Sequence, residues 1–199
     1  MTVLRRFGLL TPLAALSLAG CGLNSVPTAE ENVNAKWGQV QSEYQRRADL
    51  IPNLVATVKG YAKQESGTLI AVTEARAKAT SVQLNAGDLS DPAKVQAFND
   101  AQGQLGGALS RLLVSVEAYP DLKSNQNFLT LQSQIEGTEN SILVARKDYN
   151  EAVQAYNTRI RTFPDAIGAK IFYGAKPKTP FAAATGAQAA PKVDFGNNS

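Results

Sequence analysis

Six apolar residues stand seven apart without exception in the last long segment of this 199-residue chain: Phe128, Ile135, Ile142, Tyr149, Tyr156 and Phe163. Seven residues are two helical turns, so these side chains share one face of a single helix, which Val153 and Ile160 widen. The rhythm recurs twice. Between Thr28 and Asn85, Val33, Trp37, Val40, Tyr44, Ile51, Leu54, Val58 and Tyr61 fall on two interleaved seven-residue series. Between Pro92 and Tyr119, the positions Val95, Phe98, Gln102, Leu105, Leu109, Leu112, Val116 and Tyr119 alternate steps of three and four. Strand-like alternation is absent, and apolar helix faces must cover one another. The pattern predicts an all-α fold, an elongated antiparallel bundle of three long helices over residues 28–174.

Boundary residues refine this picture. Thr28-Ala29-Glu30-Glu31 has the spacing of a capping box at the first helix. Pro52 removes one backbone donor and crowds the carbonyl of Ala48, so the first helix is expected to kink or break near Asp49, with a four-helix arrangement as the alternative. Ser90-Asp91-Pro92 opens the second helix, and Ser124 or Asn125 caps the third, which should run to Phe163-Pro164. Gly103, Gly106 and Gly107 each cost up to ~1 kcal/mol in a helix interior, which close approach of another backbone would offset; a locally weak helix is the other reading. At 1.5 Å per residue the stretches 28–85, 92–118 and 125–162 would be roughly 85, 40 and 57 Å long. The second then covers only the far end of the first. Residues 28–50, carrying Val33, Trp37, Val40 and Tyr44, are left to fold back at Pro52 or to pack on another protein or a second copy. Trp37 and Tyr44 are therefore candidate partner contacts. Residues 175–199 are rich in Pro, Ala, Gly and Lys and are expected to be disordered.

The amino terminus carries an address. Arg5 and Arg6 precede a mostly apolar run from Phe7 to Ala19, too short to span a hydrocarbon core comfortably. Leu18-Ala19-Gly20-Cys21 then resembles a bacterial lipobox. The expectation is a signal peptide over 1–20, a diacylated Cys21 and a tether to Pro27, which makes the membrane a partner through lipid. An ordinary signal peptide with an incidental cysteine, or a short membrane anchor, is the alternative. Under the enterobacterial sorting rule, Gly22 in place of aspartate points to the outer membrane, with the bundle facing the periplasm.

Missing residue types exclude much chemistry. With no histidine and one cysteine, the chain holds no Cys/His zinc site, no Ser-His-Asp triad and no Cys-His pair. The formal charge is +3, but without Arg5 and Arg6 it is 18 basic residues against 17 acidic, scattered among one another. That is no footprint for nucleic acid. A glycine-rich phosphate loop is lacking too.

The seams also carry a vocabulary. Arg46-Arg47-Ala48-Asp49-Leu50-Ile51-Pro52-Asn53-Leu54-Val55 leads to Gly60-Tyr61-Ala62. Glu117-Ala118-Tyr119-Pro120-Asp121-Leu122-Lys123 and Glu136-Gly137-Thr138-Glu139-Asn140 follow, then Ala145-Arg146, Tyr149-Asn150, Tyr156-Asn157 and Phe163-Pro164. In these motifs, across roughly residues 30–195, the chain resembles the LemA family. The resemblance implies a bacterial envelope protein with an elongated, kinked helical bundle beyond a membrane anchor, and no established general biochemical activity. Two departures stand out. Many members keep a transmembrane helix where this chain has a lipobox, and Lys63-Gln64-Glu65 stands where members often carry a histidine.

Among the polar motif residues, Arg46, Arg47, Asp49, Asn53, Glu136, Glu139, Asn140, Arg146, Asn150 and Asn157 are the candidates for a site. Asn150 and Asn157 are seven apart, as are Glu139 and Arg146, so each pair lies along one line of the helix. A buried ladder that fixes register explains such spacing, and a ligand or peptide groove is the functional alternative. Glu136 and Glu139 lack the loop that calcium sites use, so no metal or cofactor is expected. The reading is a non-enzymatic, lipid-anchored scaffold or adaptor that contacts an envelope protein or a second copy. The alternative is a binding module for a small envelope ligand.

Overall fold

The computed structural model describes residues 24–62 and 65–182. Helix α1 (Ser25–Tyr61) is followed by α2 (Ser66–Ser81), α3 (Pro92–Val116), a short α4 (Pro120–Lys123), α5 (Gln126–Arg159) and a short α6 (Asp165–Gly168). A 3₁₀ turn, Ala86–Ser90, precedes α3, and a π turn, Ala169–Tyr173, continues α6. No described residue is in a strand.

The long helices run up, down, up and down. α1 and α5 lie antiparallel along their whole lengths: Arg159 Nη1 donates to Ser25 O (3.2 Å) at one end, and Asn125 Nδ2 donates to Tyr61 Oη (2.8 Å) at the other. The three-helix expectation is corrected to four, because the stretch 28–85 turns back after Tyr61 and α2 packs against both α1 and α3. At 1.5 Å per residue α1 is then ~55 Å long, and α5 matches it.

Pro52 does not break α1, contrary to expectation. Proline lacks the N–H that would serve the carbonyl of Ala48 four residues back. Arg76, from α2, supplies the donor instead: its Nε lies 2.7 Å from Ala48 O. A neighbouring side chain completes the ladder, and the helix continues.

The length arithmetic for residues 28–50 is overturned for the same reason. Val33, Trp37, Val40 and Tyr44 are buried by their own chain, against Tyr149 and Ile142 of α5, Phe98 of α3, Leu84 and Leu89 of the connecting loop, and Phe181. Trp37 is 3% exposed, so neither it nor Tyr44 presents a surface to a partner.

Capping followed the sequence at two starts. Asp91 accepts from Ala93 and Lys94 N–H ahead of Pro92, and Asn125 accepts from Asn127 and Phe128 N–H. It did not at Thr28, which sits inside α1 and turns its hydroxyl to Asn24 O. The tether is correspondingly shorter than expected, with Val26 already buried. Tyr61 and Phe163 end their seven-residue series outside the core. The α3 glycines meet no backbone: a Cβ at Gly103 would touch nothing, and one at Gly106 would meet only the Arg47 guanidinium at 3.8 Å.

The tail expectation is corrected in part. Gly174, at φ 54°, reverses the chain after the π turn, and residues 175–182 lie as an extended strap on α5, burying Lys178 and Phe181. Residues 183–199, the expected signal peptide over 1–20 and Cys21 lie outside the described residues.

Candidate functional site

Asn150 and Asn157 hold the strap. Asn157 Nδ2 donates to Lys178 O and its Oδ1 accepts from Lys178 N, both at 2.8 Å. Asn150 repeats the arrangement on Phe181, donating to its carbonyl at 3.1 Å and accepting from its N–H at 2.8 Å. Seven residues of helix rise ~10.5 Å, and three residues of extended chain cover about the same. Two asparagines two turns apart therefore match main-chain groups three residues apart. Between them Tyr149 Oη donates to Thr179 O (3.0 Å), and on the far side Thr179 N donates to Leu89 O (2.7 Å).

Side chains anchor what the main chain aligns. Phe181 packs with Tyr149, Trp37 and Phe98, ring centroids 5.3, 6.0 and 6.4 Å apart, while the Arg146 guanidinium lies 4.7 Å over its outer face. Lys178, nearly buried, donates to Glu30 Oε1 (2.9 Å) and Ala86 O (3.3 Å). The asparagine line is thus a peptide groove whose resident is the chain's own residues 175–182.

Two turns before Arg146 on α5 lies a second polar layer. Arg47, 3% exposed, sends Nη1 to Glu139 Oε1 (2.8 Å) and Nη2 to Gln102 Oε1 (2.7 Å) and Gln102 O (3.2 Å). Gln102 Nε2 passes the contact on to Ala79 O (3.2 Å), so one guanidinium ties α1, α3 and α5, and α2 through the glutamine. The Arg47 Nε has no partner. A cleft of about 200 Å³ beside it is lined by Tyr44, Asn99, Glu139 and Arg146. Burial pushes the Tyr44 phenol up, with Arg146 and Arg47 pulling the other way. Burial, helped by Glu30, lifts Tyr156 to about 12. These phenols stay protonated at neutral pH and are poor proton-transfer groups there.

The structure brings together Tyr44, Glu139 and Arg146 around one cleft, and Arg146, Asn150 and Asn157 along one strap. Glu136 and Asn140, both exposed, line with Glu139 a separate open cleft against Gly106, Leu109 and Ser110 of α3, while Arg46, Asp49 and Asn53 are exposed and join neither; Asp49 accepts from Gln45, and Glu136 from Gln132. Arg47, not Arg46, is the central cation. The signal was present, since Arg47 falls seven after Val40 and seven before Leu54, a charged residue on an apolar series. No group of three His, Cys, Asp or Glu among the described residues is placed to hold a metal. No described helix is long and apolar enough to cross a membrane.

Similar sequences are known. The chain is 27% identical to magnetosome protein MamQ 2 of Paramagnetospirillum magneticum over 159 residues, covering 71% of this chain and 58% of the relative. It is also 27% identical to protein LemA of Metamycoplasma hominis over 124 residues, covering 62% and 52%. The chain spans little more than half the length of these relatives. Residues 36–195 match the LemA family, a range that takes in α1 from Lys36 onward, the other three long helices, the asparagine line and the strap it grips. The chain belongs to the LemA family.

Proposed function

We propose that this protein is a lipid-anchored component of a bacterial envelope whose helical rod works as a non-enzymatic scaffold or adaptor. One observation carries the reading: the polar residues that the fold draws together are spent on structure. Asn150, Asn157 and Arg146 hold the strap, and Arg47, Gln102 and Glu139 tie the helices, so few groups remain free to turn over a substrate. The relatives' names likewise designate no reaction. Acylated Cys21 supplies position, since two or three acyl chains anchor far more durably than one. The rod supplies reach of ~55 Å.

Changing Cys21→Ser should release the protein from membranes, and retention in the membrane pellet would replace the lipid by a spanning anchor. Photocross-linking in cells from the exposed Leu143, Val144 and Val114 positions should give one recurring intermolecular adduct. Adducts confined to the chain itself would end the adaptor reading.

The unpartnered Arg47 Nε at the cleft favours a second reading, a site for a small carboxylate between Arg47 and Arg146. Acetate or succinate titrated into the protein should then shift the Asn99 and Arg146 side-chain NMR signals saturably. A linear, salt-like response dismisses it.

A further inference from the structure

The corner after α5 exposes more apolar surface than any other part of the rod. Phe163 is 82% exposed, Ile171 68% and Phe172 67%, with Ile167 beside them, all within eleven residues of chain. Phe163, Ile167 and Ile171 recur every four residues, and Ile167 and Ile171 follow one another along the α6–π turn segment, so they stand on one side of it. Elsewhere exposed large apolar residues stand in ones and twos on separate helices. Such a cluster on a water-soluble surface marks a contact.

Its surroundings say with what. Arg161, Lys170 and Lys176 are exposed around the cluster. Asp165, the one acid between Arg159 and Lys176, is paired with Arg159 at 3.6 Å. Apolar side chains with a rim of free cations are the chemistry of an anionic lipid surface. Position agrees: α6 touches α1, and Arg159 binds Ser25 O, so the corner sits at the end where the chain arrives from its amino terminus. Four residues separate Ser25 from Cys21, a reach of at most ~14 Å.

We propose that the Phe163–Tyr173 corner is a membrane-contact surface that seats the rod on the leaflet holding its amino-terminal anchor, with Phe163, Ile167, Ile171 and Phe172 entering the headgroup boundary. This rests on anchoring at the amino terminus, by lipid on Cys21 or by a retained apolar segment alike. The contact makes the anchor two-point. A single lipidated tether leaves a rod free to tumble, whereas a tether beside an inserted corner fixes which end faces the bilayer and directs the Tyr119–Asn125 end away from it.

The test uses the full-length protein purified from membranes and reconstituted in vesicles of phosphatidylethanolamine and phosphatidylglycerol carrying lipids brominated near the headgroup end of the acyl chain. Phe172→Trp is compared with Val114→Trp, the buried native Trp37 serving as a constant background. Emission from position 172 should be quenched at least about threefold more than from position 114, as insertion of 5–10 Å requires. Equal, weak quenching overturns the proposal, as does a blue-shifted but unquenched position 172, which would mean that protein covers the corner. Intact mass of the same preparation reports acylation of Cys21 separately. An acylated protein with an unquenched corner defeats only this inference, and an unacylated protein with a quenched corner defeats only the lipid reading.

Discussion

The two ends of the rod close by different means. Below the Arg47 layer aromatic rings stand among the aliphatic side chains: Trp37, Tyr44, Phe98, Tyr149, Tyr156 and Phe181. Above it the core is aliphatic apart from Phe128, with Ile51, Leu54, Leu105, Leu109, Leu112 and Leu122. The aliphatic half is sealed by helices alone, with α2 folded against α1 and α3. The aromatic half is not, because α2 ends at Ser81 and a loop and a strap take its place. Helices need only an apolar face to pack, while a strap has no internal hydrogen bonds and must have its main chain satisfied by side chains. The asparagines that serve another segment's main chain, Asn150 and Asn157, therefore stand where the fourth wall is not a helix.

The largest expected effect tests that division. Truncation after Gly174 removes the Phe181 ring, and loss of such a buried aromatic alone is worth about 3–5 kcal/mol. In a domain of this size that lowers the melting temperature by on the order of 10 °C. Trp37 emission should shift to the red in calorimetry-matched samples, since its neighbour is gone. Truncation after Ala182 should leave both unchanged. A Gly174 truncation that melts like the full chain would show that the aromatic half closes without its strap.

A smaller effect isolates the clamp. Asn157→Ala leaves the Lys178 amide and carbonyl unserved and should cost about 1–3 kcal/mol in chemical denaturation. In the Gly174 truncation the same substitution should cost almost nothing. Equal costs in both backgrounds would mean that Asn157 fixes helix register rather than the strap.

The smallest effects belong to the aliphatic half. Arg76→Met should cost about 1–2 kcal/mol by stripping the Ala48 carbonyl of its donor. Where Pro52→Ala has restored the backbone N–H, the cost should vanish, a coupling that a double-mutant cycle reads directly. Gly103→Ala, with open space at its Cβ, should stabilise by up to about 1 kcal/mol, seen as a higher denaturation midpoint.

What the sequence disclosed divides along the same line. Helix faces were legible because period seven is local: nearly every seam residue from Val33 to Tyr156 is in the core. The caps at Asp91 and Asn125 were legible for the same reason. The break after Tyr61 was not: Gly60 and Ser66-Gly67 flank it, but the stronger signal, the proline, sits in an unbroken helix. What rescues Pro52 is Arg76, 28 residues distant, and nothing in local spacing announces it. At the site, the spacing of Asn150 and Asn157 showed a line but not its occupant. The strap reads as disorder because its order is lent by another element. Phe181 was a clue, one of two aromatic residues between Ala175 and Ser199.

The strap is also the last described segment of the chain, and it completes the wall over residues that are nearly the first. Arg159 reaches Ser25 across 134 positions, and Phe181 packs on Trp37. Because synthesis proceeds from the amino terminus, the core is finished late: α1 emerges with an apolar face that α2 and α3 cover in part and that α5 and residues 175–182 complete. Long-range closure of this kind slows folding. Were the chain threaded through a membrane before folding, as the proposed lipid anchoring requires, that delay would keep it passable until residues 175–182 arrived as the latch.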